Sequence, residues 1–296
     1  MEIRELRYFL AVAREGSITI AAESLNISQP GLSKVIMNME EQLGKKLFIR
    51  ENRKITLTED GMLLRKRAGE IIDLMDKTES EFIKDNEDQI SGDIYIGGGE
   101  TESMRFIAKA IKNLQNKHPH IHYNFFSGNA DDVTEKLDKG LLDFGILIEP
   151  VDIKKYDYLR LPTFDTWGVL MRKDSKLAQL NVITPKDLQN VPLLTSRQTL
   201  VKHDISSWLG YDLDKLNIIG TYNLIYNASL MVEEGIGYAL CLDKLVNTTD
   251  NSNLCFKPLK PALTSNLVLV WKKYQIFSKA TQKFLEELQK ELNIDK

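Results

Sequence analysis

Ile18, Ala21, Ala22 and Leu25 fall on one face of a short helical segment, and Leu32, Val35, Ile36, Met39 and Leu43 make one stripe along a second. Asn26-Ile27-Ser28 breaks the two apart. Ser17 and Ser28 each stand one residue ahead of a segment, where a side-chain oxygen caps free backbone N–H groups. The spacing therefore predicts a helix-turn-helix whose second helix opens with Ser28, Gln29, Pro30, Ser33 and Lys34, side chains suited to base edges and phosphates. Such helix pairs also recur in proteins that never touch nucleic acid. The basic segment after the second helix shifts the balance. Leu47-Phe48-Ile49 and Ile55-Thr56-Leu57 read as a small hairpin with Glu51-Asn52-Arg53 at its tip and Lys45, Lys46, Arg50, Arg53 and Lys54 around it, which is a wing. Arg50, Arg53 and Lys54 are the expected phosphate contacts, since such contacts need cations on a fixed element beside the reading helix. The opening MEIRELRYFL interleaves charge with apolar residues and predicts an amphipathic helix packed on the pair.

A long helix is expected next, capped by Thr58 and with Glu59 and Asp60 in its first turn. Leu64, Ala68, Ile71, Met75, Thr78 and Phe82 recur at alternating spacings of four and three, the seam of a coiled coil, with Arg65, Lys66, Arg67, Glu70, Asp73 and Asp76 off it. The seam is narrow and flanked by charge, which favours pairing with a second chain over packing on its own domain. Leu64, Ala68, Ile71, Met75 and Phe82 are the dimerisation residues on this reading. The polar run between Ile83 and Ser91 reads as a hinge. The expected divisions are thus residues 1–58, 59–90 and 91–296.

From Gly92 onward strands alternate with helices, which predicts a largely parallel sheet covered on both faces. Strands are expected at 93–97, 121–126, 144–148, 166–171, 192–195, 217–221, 237–242 and 266–271, and helices at 104–116, 131–139, 203–209, 226–234 and 279–292. Two similar α/β units joined by crossing strands point to a bilobed ligand-binding domain. In open α/β sheets ligands sit at the carboxyl ends of strands, where helix N-termini turn their N–H groups inward. Three strand ends qualify: Gly99, Glu100, Thr101 and Ser103 after the first; Gly128 and Asn129 after the second; Thr195, Ser196 and Arg197 in the other unit. Asn223 and Asn227 are further candidates from a neighbouring turn. Any one of these is explained equally well by turn chemistry; as a set they make a pocket. Arg197 suits a carboxylate and Glu100 an ammonium, which together would fit a zwitterion such as an amino acid, although either side chain can equally face solvent.

Composition narrows the classes. With 296 residues, 43% hydrophobic and 27% charged, the chain has the make-up of an ordinary multi-domain globular protein. Its net charge of −3 confines any nucleic-acid-binding charge to a local patch. No apolar run is long enough to span a bilayer, the N-terminus lacks a signal-peptide pattern, and two cysteines make no disulfide framework, so the cytoplasm is expected. His118, His120 and His122 form H-P-H-I-H without accompanying cysteines or carboxylates, and are read as a helix end entering a strand edge rather than a metal site. Cys241 and Cys255 lie in apolar strands, the wrong surroundings for reactive thiols. No nucleophile–base or paired-carboxylate arrangement assembles, so neither catalysis nor a cofactor or metal is expected.

The order Tyr8-Phe9, Ala11-Val12-Ala13, Gly16-Ser17, Ala21-Ala22, Leu25, Ser28-Gln29-Pro30, Leu32-Ser33, Glu40 to Gly44, Leu47-Phe48, Arg50 and Leu57 to Gly61 resembles the LysR-type transcriptional regulators, densely over about the first sixty residues. Two positions depart from that pattern. Gly31 stands where the family usually has Ala or Thr, and Lys34 where it has Arg, so the planar two-pronged donor set is missing there. The resemblance implies an α/β architecture: an N-terminal winged helix-turn-helix, a long linker helix that dimerises, and a bilobed effector domain similar to periplasmic solute-binding proteins. It implies lobes at 91–162 with 267–296 and at 163–266. The phrase from Met231 to Leu240, and Arg160-Leu161-Pro162 followed by Gly168-Val169-Leu170, match the family's later passages. The implied partners are double-stranded promoter DNA, a small-molecule effector and further copies of the chain, as dimer and often tetramer. The competing reading is a cytosolic solute-binding module whose N-terminal helices contact proteins.

Overall fold

Gly16 and Gly44 end the first and third helices in the left-handed region, at φ 61° and 63°, and Asn26 holds the turn between the second and third at φ 54°. Asn is among the few side chains that adopt this conformation readily. The computed structural model describes residues 1–51, 54–81, 90–197, 203–211 and 213–292. It forms two compact units, Met1–Ile83 and Lys84–Lys296.

In the first unit α1 (Ile3–Glu15), α2 (Ile18–Ser24) and α3 (Gln29–Leu43) surround one core, followed by the hairpin β1 (Phe48–Glu51) and β2 (Lys54–Leu57) and by α4 (Glu59–Glu81). Ser17 Oγ accepts from the Ile20 amide and Ser28 Oγ from the Gly31 amide, so both expected caps form. Phe9, Val12, Leu32, Ile36 and Met39 are buried together with Leu47 and Phe48 of the hairpin. The third helix holds the wing through Glu40, a residue only 5% exposed, by its carboxylate. It accepts from the Leu47 amide at 2.8 Å, the Phe48 amide at 3.3 Å and the Lys46 ammonium at 2.9 Å. Burial pushes the Glu40 carboxyl up, but these donors outweigh it and leave the group below its ordinary range. A second tight contact closes the hairpin base. A Cβ at Gly61 would lie 2.1 Å from the Leu47 carbonyl oxygen, so α4 starts against the wing only because position 61 is glycine.

The second unit contains β3 (Ser91–Gly98), α5 (Met104–Lys117), β4 (His120–Ser127), α6 (Ala130–Asp138), β5 (Phe144–Ile148), β6 (Tyr156–Arg172), β7 (Leu193–Ser196), α7 (His203–Leu209), β8 (Ile218–Tyr222), α8 (Ile225–Glu233), β9 (Tyr238–Leu242), β10 (Leu254–Pro258), β11 (Thr264–Lys272) and α9 (Lys279–Glu291). Strand order is β4-β3-β5-β11-β6-β9-β7-β8, with β10 beside β6. The expectation of a largely parallel sheet is corrected. β3 runs parallel to β4 and β5, and β7 to β8 and β9, but β6 and β11 are antiparallel to every partner they have among the described strands. These two strands link the lobes, so each must enter one sheet and leave through the other, which reverses its sense against the parallel strands.

The expected strand at 166–171 is the second half of β6, which runs unbroken for 17 residues through Pro162. Proline is tolerated there because the β6–β11 ladder skips. Asn266 pairs Phe164 and Val268 pairs Arg160, leaving Leu161, Pro162 and Thr163 in a bulge where no ladder N–H is required. On one side of the crossing, Phe144 stacks among Trp271, Phe277 and Phe284 over Ile94, Ile96 and Ile107. On the other, Val169, Leu193, Ile205 and Leu240 form a separate core. Among the described residues no helix is long and apolar enough to cross a membrane.

Glu40 gives the first unit a defined acid response. Its folded-state carboxyl titrates below the ordinary value, so its contribution is complete above that value and is lost as pH falls through the folded one. Thermal unfolding followed by helical circular dichroism should place Glu40→Gln about 1–2 kcal/mol below wild type at about pH 6, with the gap closing on acidification below about pH 4.5. A gap independent of pH would remove the carboxylate's charge from this account.

Candidate functional site

Ser28, Gln29, Pro30 and Lys34 are exposed on the first turns of α3, and Ser33 is half-buried beside them. Pro30 sits in the first turn, where its missing N–H costs nothing. The Gly31 amide donates to the Ser28 cap at 3.2 Å, and a Cβ there would meet only the same rotatable hydroxyl, at 2.9 Å. Arg50 is exposed on β1, paired in register with Ile55. Two of the clustered cations are engaged: Lys46 with Glu40, and Lys45 with Asp60 at 3.5 Å. Arg53 and the side chain of Lys54 lie outside the described residues.

The seam expected on α4 is divided by the fold. Ala68 is wholly buried in the first unit's core, Leu64 packs against that core, and Ile72, which the spacing leaves off the seam, is buried with them. Leu64, Ala68 and Ile72 stand four residues apart and form the face that α4 turns to α1. Ala68 is therefore corrected from partner-facing to intramolecular, while half-buried Leu64 packs at the edge of the same core. On the adjacent face the apolar residues Leu63 at 58%, Ile71 at 39%, Leu74 at 42% and Met75 at 37% are left exposed; Met62, also exposed, lies on another side. Phe82 and most of the polar stretch after it fall outside the described residues.

In the second unit a cavity of about 70 Å³ opens where strand ends converge. Gly99, Glu100, Gly128 and Asn129 line one side, with Ile148. Trp167, Ser196, Tyr222, Leu224 and Ile225 line the other, and Asn223, Cys241, Leu242 and Leu245 complete it. Six of the eleven expected ligand residues thus meet in one place: Gly99, Glu100, Gly128, Asn129, Ser196 and Asn223. The others do not. Thr101 and Ser103 are buried beneath the cavity, with their hydroxyls donated to Asp165 at 2.5 and 3.1 Å. Ser103 reaches instead the edge of a larger, open depression of about 360 Å³ around Phe164, Arg105 and Lys244. Thr195 is 3% exposed, and its hydroxyl has no partner among the described residues. Arg197 and Asn227 are exposed and lie outside the cavity, which removes the residue expected to hold a carboxylate.

Several polar groups of the cavity are already engaged. Asn129 accepts from the Asp132 amide and caps α6. Tyr222 donates its hydroxyl to the Leu240 carbonyl at 2.7 Å. Burial pushes the Cys241 thiol up to about 12, an inert sulfhydryl at neutral pH. Glu100 accepts from the Ile225 amide at 2.7 Å. Ile225 is the first residue of α8, and Leu224 before it offers no capping side chain, so a carboxylate from the opposite lobe caps this helix. The lining residues missed in the sequence are mainly apolar. An isolated Trp167 or Leu245 carries no local signal of which cavity it will face. Among the described residues no cluster of three or more His, Cys, Asp or Glu is placed to hold a metal ion.

Below the cavity lies the crossing. Asp165 pairs with Ser265 across β6 and β11, and Trp167 Nε1 donates to Ser265 Oγ at 2.9 Å. Burial holds the Asp165 carboxyl above its ordinary range, and the Thr101 and Ser103 hydrogen bonds pull it partway back.

Both units match known proteins. Residues 3–62 match the family model described as bacterial regulatory helix-turn-helix protein, lysR family, and residues 87–293 match the LysR substrate binding domain. The chain is 30% identical over 241 residues to the HTH-type transcriptional regulator YvbU of Bacillus subtilis, covering 81% of each. It is 28% identical over 280 residues to HcaR, the Hca operon transcriptional activator of Escherichia coli, covering 92% of each. In fold it is similar to full-length CbnR crystallised with its target DNA, at a TM-score of 0.74 and 15% identity, over 98% of this chain and 100% of that one.

Asp165→Ala should leave two buried hydroxyls without an acceptor and cost about 1–3 kcal/mol. The three tryptophans, at positions 167, 208 and 271, all lie in the second unit, so urea unfolding read by tryptophan fluorescence isolates the effect. An unchanged midpoint and slope would show that the crossing does not depend on this carboxylate.

Proposed function

The chain belongs to the LysR family: it is a DNA-binding transcriptional regulator with an effector-binding domain, and we propose how its residues divide that work. Ser28, Gln29, Pro30, Ser33 and Lys34 read base edges, while Arg50, Arg53 and Lys54 of the wing hold phosphates. The observation that carries this division is the first turn of α3, exposed and beside a wing that Glu40 keeps in place. The relative crystallised on its target DNA supports the same use of this unit.

Residues 59–90 connect to an effector domain whose lobes comprise 91–162 with 267–296, and 163–266. The small-molecule effector occupies the cavity lined by Glu100, Asn129 and Ser196. Its binding shifts the relative angle of the lobes and, through the linker, the affinity for promoter DNA. One winged helix buries too little surface for specific binding, so two copies pair, and dimers pair further into tetramers. The dimer contact lies along Leu63, Ile71, Leu74 and Met75 of α4, the stripe its own core leaves uncovered. On this reading the protein works in the cytoplasm beside the chromosome and binds its effector without turnover.

Mobility shifts on the intergenic DNA upstream of the gene test the reading unit. Gln29→Ala should relax sequence preference, with discrimination falling by about 1–3 kcal/mol, whereas Arg50→Ala should weaken all sequences alike and flatten the salt dependence. The same uniform loss from both would defeat the division of roles, and no sequence preference at physiological salt would defeat DNA reading itself. The dimer stripe is tested by sedimentation: Leu74→Asp should give folded monomers, and intact dimers would place the contact elsewhere.

A further inference from the structure

The cavity is small and part of its polarity is engaged: the side-chain oxygens of Asn129 and Asn223 accept from backbone amides, and Tyr222 donates to Leu240. Its volume of about 70 Å³ holds about five water molecules, the size of a molecule with few heavy atoms. Ile148, Trp167, Leu224, Leu242 and Leu245 supply apolar walls. Glu100 brings the one carboxylate among the lining residues described, and no lysine, arginine or histidine joins it. The N-terminus of α8 opens into this space, and a helix N-terminus is an attractive seat for an anion. That seat is taken, because the Ile225 amide already donates to Glu100.

Resting on the reading of this cavity as the effector site, we propose that it selects a compact, largely apolar effector that is neutral or cationic and turns a hydrogen-bond donor to Glu100, and that Glu100 excludes carboxylates. Two effects act together. A ligand carboxylate would have to displace Glu100 from the helix terminus, and it would then sit directly beside a second negative charge. An amide or ammonium group meets neither obstacle, since the second lone pairs of the Glu100 carboxylate remain open to a donor. Glu100 thus serves as an internal anion, holding the α8 terminus from the opposite lobe until a donor-bearing ligand bridges the same two elements.

Three probes of one shape separate the possibilities on the full chain: isobutyrate, isobutyramide and isobutylamine, with affinities from calorimetric titration. Isobutyrate should bind about tenfold or more weakly than the better of the other two, the mark of like charges brought together in the site. Glu100→Gln keeps an oxygen for the Ile225 amide, so the helix contact survives while the charge is lost. In that variant the disadvantage of isobutyrate should shrink by about tenfold. Equal or tighter binding of isobutyrate by wild type, a ratio unchanged by Glu100→Gln, or no saturable binding of any probe would overturn the proposal. Promoter binding in the same preparations tests the regulator reading separately, because it depends on residues of the first unit.

Discussion

Two strands carry the connection between the lobes of the second unit, and they cross over a single buried carboxylate. β6 and β11 leave one core and enter the other side by side, antiparallel to one another, with Asp165 opposite Ser265 at the crossing. Asp165 gathers the hydroxyls of Thr101 and Ser103 from the first strand-to-helix turn, which places Glu100 one residue away at the cavity mouth. The lining on both sides depends on this arrangement, since Trp167 on β6 is two residues further on and hydrogen-bonds to Ser265. Burying an acid is costly, and here two hydroxyls and a backbone amide share the task of offsetting the cost.

Carboxylates that accept from backbone amides recur at the positions where function requires one element to be held against another. Glu40 grips the amides of Leu47 and Phe48 and so fixes the wing against the reading helix. Glu100 grips the amide of Ile225 and spans the cavity. The two differ in exposure to change. Glu40 is enclosed and paired with an ammonium, whereas Glu100 faces open space that a ligand can enter. The first contact therefore suits a permanent joint and the second an exchangeable one.

Much of the fold is legible along the chain, and the reasons differ from element to element. Helix ends in the first unit are written in local chemistry: Ser17 and Ser28 cap, Gly16 and Gly44 release the backbone into the left-handed region. Strand ends of the parallel segments are readable as well, which is why Gly99, Glu100, Gly128, Asn129 and Ser196 emerge from the pattern. Thr101 and Ser103 mislead because a hydroxyl in a turn looks the same whether it awaits a ligand or an internal acid 64 or 62 residues away. β6 reads short because Pro162 ordinarily ends a strand, and nothing local announces the bulge that accommodates it.

By itself the sequence determined the winged helix-turn-helix, the long helix after it, the alternating α/β unit and the family they compose, because each rests on periodicity, capping or short motifs within a few residues. Tertiary structure alone decided which face of α4 remains for a partner, since Leu64, Ala68 and Ile72 are taken by the unit's own core. It alone placed Arg197 outside the cavity and seated Glu100 on the terminus of α8, 125 residues away in the chain. Those outcomes depend on which elements pack together, and a spacing pattern is the same whether its apolar face meets its own core or another chain.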